Sequence, residues 1–428
     1  MKCVMSRGVY LRADGRLPCY CGSGETVTLG QVPIDGSPFQ FISDYYRKGL
    51  FSHIRKSMSS GIVPFPGICD QCTYLDLDHR FEQELIDTEL DWFHWEPSSL
   101  CMLDCQWCTV ERFNYYKKGQ NRLLPLEVFE RIVTDMSQNG LRLNMGNICG
   151  VGEPTLNPDI WQMIRIVREK LGGDILISTN GNGPYSEAIV TSGLDKIKIA
   201  VDAVKQETYV RYRKNGSLQK AIAFTKAIAN EKARLNKEKP SIIWQYILFN
   251  YNDSDEDLIT YQKMAEENGV NQLRIVYTRC NNYSIRTPDD FPKVFPDIIF
   301  FPIGTESQLS PPELKQSWFD IEAATSNGKL EQAAIETIRL INRLYHRLAL
   351  GVETYNDLLA FSKGVHHVCG TNRLDLTVER FREYTEYIRK SFIRLEELYS
   401  NMGRKEQARS YRNYLKNIYL EGQEAHPK

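Results

Sequence analysis

Residues 98–113 read SSLCMLDCQWCTVERF and place three cysteines at positions 101, 105 and 108. The spacing is C-x3-C-x2-C, with no fourth cysteine nearby in the sequence. A structural zinc site takes four ligands, and disulfides use cysteines in pairs. Three thiolates instead suit a metal centre that keeps one coordination position open.

The composition is that of an ordinary globular chain without a strong global charge. Of its 428 residues 42% are hydrophobic and 25% are charged, and 53 Lys and Arg nearly balance 54 Asp and Glu. This balance gives no general attraction to nucleic acid or to anionic membranes. Residues 1–15 do not resemble a signal peptide, and no apolar run is long enough to span a membrane. We therefore expect a cytoplasmic protein of two or three domains, in which eleven cysteines favour metal binding or catalysis over disulfides.

The central part of the chain alternates short β-rich runs with amphipathic helical segments. The strand-like runs are DWFHWEP (91–97), LRLNMGNICG (141–150), DILISTNG (174–181), KIKIAVDA (196–203), SIIWQYILF (241–249) and NQLRIVY (271–277). Helical segments between them include PLEVFERIVTDMSQNG (125–140), PDIWQMIRIVREKLGG (158–173) and SDEDLITYQKMAEENG (254–269). This order predicts an α/β fold with a parallel sheet, curled into a partial (β/α)6 barrel of the TIM type. Ligands would bind at the carboxyl ends of the strands, where the cysteine triplet and two glycine-containing segments fall.

The rest of the chain differs from this pattern. The predicted division is a small cysteine-rich module over 1–75, a linker over 76–91, the barrel over 92–280, and an irregular segment with a helical extension over 281–428. The N-terminal module has little apolar material of its own, so a bound metal would help to hold it. In the extension, one helix face is predicted to carry Val378, Phe381, Tyr384, Ile388, Phe392, Leu395 and Tyr399.

The triplet at the end of the first strand resembles the cluster-binding loop of the radical S-adenosylmethionine (SAM) enzymes. That family uses the same spacing, commonly with an aromatic residue before the last cysteine, and Trp107 occupies this position. The resemblance implies that Cys101, Cys105 and Cys108 hold three irons of a [4Fe–4S] cluster. The fourth iron would bind the methionine end of SAM, which is cleaved to a 5′-deoxyadenosyl radical. Three cysteines of a zinc site with a remote fourth ligand are the competing interpretation.

Three further segments follow in the order that the family shows. CGVGEPTLNP (149–158) looks like the glycine-glutamate-proline motif, in which Glu153 and the backbone meet the SAM amino group. Gly150 and Gly152 would let the backbone approach the ligand closely. ISTNG (177–181) would place Ser178 and Asn180 near the ribose or the substrate.

The last of these segments is VDAVKQETYVRYR (201–213). By the resemblance, Asp202 ends a strand and Arg213 points back toward the SAM carboxylate. Many relatives carry Ser two residues before the aspartate, and here that residue is Ala200, which puts the ribose contact from this strand in doubt. Arg213 on a solvated helix surface is the alternative.

The N-terminal cysteines resemble the auxiliary-cluster modules called SPASM and twitch. Cys3, the segment DGRLPCYC (14–21) and the segment CDQC (69–72) match that pattern, although in known relatives the module follows the barrel. The implied ligands of a second [4Fe–4S] cluster are Cys3, Cys19, Cys69 and Cys72, with Cys21 as the alternate to Cys19. A structural zinc held by the same thiolates is the alternative.

A second cluster would serve one of three roles. With four cysteines it would accept an electron from a substrate radical, so that the net reaction is an oxidation. With one open iron it would bind the substrate or give up a sulfur atom. The sequence leaves these roles open.

The remaining cysteines and two histidines have less specific signals. Cys149 is predicted to be a buried strand residue. Cys280 is predicted to be a packed thiol, with a hydrogen-atom donor or a cluster ligand as alternatives. His366, His367 and Cys369 form a loop that is predicted to be structural or to face the substrate, with a metal site as the alternative.

Together these features predict a radical SAM enzyme that acts on an unactivated C–H bond of a small metabolite, such as a sugar, nucleoside or aminocyclitol. The expected reductant is a flavodoxin or ferredoxin, and nucleic acid and membrane are not expected partners. Net oxidation or epimerisation is expected, with sulfur insertion or peptide modification as alternatives. A zinc-stabilised binding module is the non-enzymatic alternative.

Overall fold

The computed structural model describes residues 2–3, 6–19, 27–66, 68–69, 75–76, 88–106, 108, 122–277, 282, 284, 286, 311–348, 378–409, 411–413 and 415. Several residues singled out from the sequence lie outside this set. They are Cys21, Cys72, Trp107, Cys280, His366, His367 and Cys369.

A seven-stranded parallel sheet forms the centre of the described structure. The strands along the chain are β1 (Lys2–Cys3), β2 (Gly8–Leu11), β3 (Arg16–Pro18), β4 (Thr28–Gln31), β5 (Leu75–Asp76), β6 (Glu89–Trp95), β7 (Arg142–Ile148), β8 (Asp174–Thr179), β9 (Lys196–Ala200), β10 (Ser241–Leu248) and β11 (Gln272–Tyr277). The order in the sheet is β11-β10-β9-β8-β7-β6-β2. Strands β6 to β11 are the six predicted runs, so the α/β class and the parallel sheet are confirmed. Among the described strands β2 and β11 form the two edges, and the sheet is open.

Helices connect the strands and cover the sheet. They are α1 (Gly49–Ser59), α2 (Leu126–Gln138), α3 (Ile160–Lys170), α4 (Ala188–Thr191), α5 (Gln206–Tyr212), α6 (Leu218–Arg234), α7 (Asp255–Glu267), α8 (Pro311–Ser326), α9 (Leu330–Leu348) and α10 (Val378–Asn401). Local signals mark several ends. Ser217 and Ser254 cap α6 and α7 by accepting a backbone N–H three residues later. Pro125 directly precedes α2, and Gly140, two residues after its end, has a φ of 81°.

The two faces of the sheet differ in chemistry because side chains alternate along each strand. Ile177, Ile199 and Trp244 lie on one face and are completely buried in the hydrophobic core. The opposite face carries Ser178 and Lys198, which are register partners on β8 and β9. Burial of the apolar face drives the packing of the sheet, and the polar face is left to form a site.

The N-terminal segment contributes a strand that the sequence did not predict. β2 pairs in parallel with β6 and places Val9 beside Phe93 in the core. Two smaller sheets flank it: β1 pairs with β5, and β3 with β4, both antiparallel. The sequence division at residue 75 stays a prediction.

The described C-terminal helices pack together, with α9 in contact with both α8 and α10. On α10 the predicted apolar positions Ile388, Phe392, Leu395 and Tyr399 are buried. The side chains of Val378, Phe381 and Tyr384 lie outside the described set. None of the helices in the described ranges has both the length and the apolar character of a membrane span.

Candidate iron–sulfur and SAM site

The three cysteines of the triplet lie at a cavity of about 200 Å³ at the carboxyl ends of the central strands. The cavity is lined by this triplet, by the segments 149–153 and 178–180, and by Lys198, Ala200, Arg213 and Gln245. The described residues that were predicted for the first cluster and for SAM therefore meet at one place, with the exception of Asp202, whereas the N-terminal cysteines Cys3, Cys19 and Cys69 do not line this cavity. Asp202 does not line the cavity and acts on it through Arg213, as described below.

Backbone hydrogen bonds hold the cysteine loop from two sides. On one side the N–H of Glu153 donates to the carbonyl of Leu100, with a nitrogen–oxygen distance of 2.7 Å. On the other side the N–H groups of Asp104 and Gln106 donate to the carbonyls of Lys214 and Tyr212, at 3.1 and 2.9 Å. The loop is therefore positioned by the glycine segment and by the end of α5.

The sulfur atoms differ in exposure. Cys101 is exposed, Cys108 is half-buried and Cys105 is buried. Burial raises the pKa of the Cys105 thiol, although the nearby Arg213 guanidinium acts in the opposite direction. A bound metal cation would favour the deprotonated form that ligation requires.

The two glycines of the 149–153 segment allow an approach that a side chain would block. A Cβ built on Gly152 would lie 2.3 Å from the carbonyl oxygen of Ser98 and 2.6 Å from that of Leu100. A Cβ on Gly150 would lie 2.3 Å from Oε2 of Glu96. Even without a ligand, Gly150 and Gly152 are therefore required for the close packing of this segment against Glu96 and against the start of the cysteine loop.

Glu153 is buried, and its carboxylate organises the neighbouring loops. Oε1 accepts hydrogen bonds from the Thr155 N–H at 3.2 Å, the Thr155 hydroxyl at 2.7 Å and the Thr179 hydroxyl at 2.6 Å. Oε2 accepts one, from the Asn180 N–H at 2.8 Å. Burial raises the pKa of Glu153, and these donors act against the rise. Oε2, with one donor against three at Oε1, is the oxygen that can accept a further hydrogen bond.

Asn180 connects this carboxylate to the cysteine loop. Its side-chain amide donates to the sulfur of Cys101 at 3.7 Å and to that of Met102 at 3.4 Å. Ser178 lines the cavity two residues earlier on β8. The TNG turn is therefore in contact with the triplet.

Arg213 is held by Asp202 and directed at the cysteine loop. Its Nε donates to Oδ2 of Asp202 at 2.6 Å, and its Nη1 lies 3.6 Å from the sulfur of Cys105. Oδ1 of Asp202 accepts the N–H of Ile247 at 2.7 Å, which fixes the carboxylate to β10. Arg213 is thus a cation beside the triplet, with its side chain 13% exposed, and its contact with SAM stays a prediction.

A second group of side chains was not predicted as a unit. His94 on β6 lies with Nε2 at 3.0 Å from both the sulfur and the carbonyl oxygen of Cys149, and its ring contacts that of Tyr10. Burial lowers the pKa of His94 to about 4 and raises that of Cys149 to about 11. The prediction that Cys149 is a buried strand residue is wrong on both points. β7 ends at Ile148, and Cys149 follows it as a half-buried residue that lines the cavity.

The described N-terminal cysteines all pack against the main hydrophobic core. Cys3 is the register partner of Leu75, the N–H of Cys19 donates to Val27 at 2.7 Å, and that of Cys69 donates to Phe65 at 2.8 Å. In the part of the chain that the structure describes, no group of three or more His, Cys, Asp or Glu side chains is arranged to hold a single metal ion. The predicted second ligand set includes Cys72, so it stays a prediction.

Residues 95–261 match the sequence model of a family described as the Radical SAM superfamily. The chain contains a radical SAM domain. The superfamily uses a [4Fe–4S] cluster and SAM, and the donor set fits both. Three thiols line one cavity, Oε2 of Glu153 accepts a single hydrogen bond, and the partly buried Arg213 provides a positive charge.

Two relatives of known name are similar to parts of this chain. The GTP 3′,8-cyclase of Alkaliphilus metalliredigens is 33% identical over 128 residues, which cover 29% of this chain and 39% of that protein. The GTP 3′,8-cyclase of Limosilactobacillus fermentum is 26% identical over 189 residues, covering 42% of this chain and 52% of that protein. The chain therefore spans about two fifths to a half of the length of these two relatives.

Among solved structures, Streptococcus suis SuiB bound to S-adenosylmethionine is 20% identical, with a TM-score of 0.36. The alignment covers 47% of this chain and 42% of that one.

Proposed function

We propose that this protein is a radical SAM enzyme that removes a hydrogen atom from an unactivated C–H bond of a small metabolite. The observation that carries this proposal is the convergence of the three triplet thiols, Glu153 and Arg213 on one cavity. When bound, the [4Fe–4S] cluster and SAM supply the electron and the 5′-deoxyadenosyl radical for this step.

The chain's own residues hold and orient these groups. Cys101, Cys105 and Cys108 provide the thiolates for three irons. Glu153 would accept an N–H of the SAM ammonium at Oε2, and the partly buried Arg213 would attract the SAM carboxylate. Asp202 acts as a positioning residue, because it holds Arg213 in the direction of the triplet.

The substrate class and the net reaction are proposed for the same site. We propose a sugar, nucleoside or aminocyclitol-like substrate, with net oxidation or epimerisation and a small redox protein as the electron donor. The name of the GTP 3′,8-cyclase relatives supports the nucleoside class, although their matches cover only part of each chain. The amount of product per enzyme distinguishes sulfur insertion from this proposal. If a cluster were consumed as the sulfur donor, product formation would stop near one equivalent per enzyme.

We further propose that residues 1–75 form an auxiliary module with a second [4Fe–4S] cluster on Cys3, Cys19, Cys69 and Cys72. The pairing of β1 with β5 supports this arrangement, because it joins Cys3 to the chain just after the CDQC segment. A four-cysteine cluster in this module would accept an electron from the substrate radical.

The test is iron, sulfide and zinc per chain after anaerobic reconstitution, together with SAM cleavage measured as 5′-deoxyadenosine. The wild type is compared with the Cys101→Ala/Cys105→Ala/Cys108→Ala variant. The matched control is Cys149→Ala, which removes a thiol from the same cavity but not from the triplet.

We expect about eight irons in the wild type and in the control, falling to about four in the triple variant with loss of SAM cleavage. About four irons falling to none, with zinc retained, would make the N-terminal module a structural zinc site. No iron in the wild type would overturn the radical SAM proposal.

A further inference from the structure

The polar face of the sheet carries positive charge at the base of the cavity. Lys198 lies on β9, two residues before Ala200, and lines the cavity with Ser178 and Gln245. Ser178 is its register partner on β8, so both side chains lie on the same face. The ammonium is therefore directed at the space enclosed by the strand ends and not at the helices behind the sheet.

No carboxylate in the described part of the chain forms an ion pair with Lys198. The acidic residues that approach the cavity are already engaged by other groups. Glu153 accepts four hydrogen bonds, and Asp202 pairs with Arg213 and the β10 backbone. Burial lowers the pKa of Lys198, and Arg274 and Arg213 act in the same direction. A half-buried ammonium without an anion costs free energy that a ligand can recover.

Neighbouring strands extend this surface. Gln245 on β10 is the register partner of Ala200 on one side and of Arg274 on β11 on the other. The Gln245 amide, which has two N–H donors, and the Arg274 guanidinium thus lie on the same face of the sheet as Lys198, on the next two strands. Such a set of donors suits an oxyanion with several acceptor atoms.

The proposed cofactor does not account for this charge. Its carboxylate is assigned to Arg213, which lies beside the triplet on the segment after α5. Lys198 instead lies beside Cys149 on the strand face, and the Cys149 thiol has a pKa raised to about 11, so it carries no compensating negative charge near neutral pH.

We propose that Lys198, with Gln245 on the neighbouring strand and Arg274 one strand further along the same face, binds an anionic group of the substrate, a phosphate or a carboxylate. This inference rests on the proposed function, since it takes the cavity beside the cluster as the substrate site. It narrows the substrate class to an anionic metabolite, such as a phosphorylated nucleoside or sugar or a sugar acid.

The test uses the reconstituted holoenzyme saturated with SAM and titrated anaerobically with three probes in a calorimeter. Inorganic phosphate and succinate represent the two anions, and succinamide is the neutral control. The variants are Lys198→Met and the conservative Lys198→Arg. The matched control is Lys196→Met, on the same strand and face, whose ammonium pairs with Asp174 near the amino end.

We expect one of the two anions to bind the wild type and Lys196→Met equally, and Lys198→Met at least about tenfold more weakly. Lys198→Arg should restore most of the affinity, and succinamide should not bind. Phosphate binding over succinate would assign a phosphorylated substrate, and the reverse order a carboxylate.

The inference is overturned if neither anion binds the wild type, if Lys198→Met binds as the wild type does, or if Lys198→Met weakens SAM binding instead. SAM cleavage by the wild type is scored separately. Its absence would overturn the proposed function while the anion titrations still decide the role of Lys198.

Discussion

Replacing Gly152 with alanine tests whether the glycine segment is the support of the cysteine loop. The new Cβ would meet the carbonyl oxygens of Ser98 and Leu100 at 2.3 and 2.6 Å and the carbonyl carbon of Ser99 at 2.6 Å. All three are backbone atoms, so no side chain can rotate away. The segments must separate by roughly 1 Å to approach ordinary van der Waals distances.

The cost follows from two contributions. Overpacking of this kind destabilises by about 1–3 kcal/mol. The separation also strains the hydrogen bond from the Glu153 N–H to the Leu100 carbonyl, which contributes about 1 kcal/mol. We therefore expect Gly152→Ala to lower the free energy of unfolding by about 2–4 kcal/mol. Because Leu100 directly precedes Cys101, we also expect less iron after reconstitution.

The assays are urea unfolding of the metal-free protein, and iron per chain after anaerobic reconstitution. The control is Gly61→Ala. Its added Cβ meets no atom within 4 Å, and only the positive φ of 67° makes it unfavourable, by about 1 kcal/mol. The reasoning is refuted if Gly152→Ala unfolds within about 0.5 kcal/mol of the wild type and binds the full complement of iron.

Three further predictions concern buried polar groups and a helix cap. Asp202→Asn removes the counter-charge of the partly buried Arg213 guanidinium. It should lower the free energy of unfolding, measured in urea, by about 3 kcal/mol. A loss below about 1 kcal/mol would contradict the importance of this ion pair. Burial lowers the pKa of His94 from 6.5 to about 4, so below pH 6.5 the unfolded chain binds a proton that the folded chain does not. Between pH 7 and pH 5 the wild type should therefore lose about 2 kcal/mol more unfolding free energy than His94→Gln, and parallel curves would refute this. Ser254→Ala removes the acceptor for the Asp257 N–H at the start of α7, and should cost about 1 kcal/mol in the same urea assay, whereas Ser254→Asp should not.

Local patterns in the sequence determined much of the fold and of the candidate site. The strands β6 and β8 to β11 are rich in β-branched and aromatic residues, which favour the strand conformation locally. β7 has one β-branched residue, Ile148, and was predicted from its place in the alternation of strands and helices. The triplet, the glycine segment and the TNG turn follow successive strands. Parallel strands place their carboxyl ends at one edge, so order along the chain already predicted that these residues would meet.

Only the tertiary structure decided which atoms face each other within that site. β2 is a four-residue strand in a turn-rich segment, and only pairing with the distant β6 gives it a place in the sheet. Glu153 forms hydrogen bonds with the distant Leu100, Thr179 and Asn180, and Lys198 on β9 lies beside Cys149, which follows β7. Such contacts depend on strand register and on the direction of each side chain. The residues concerned are distant in sequence, so no local pattern specifies these contacts.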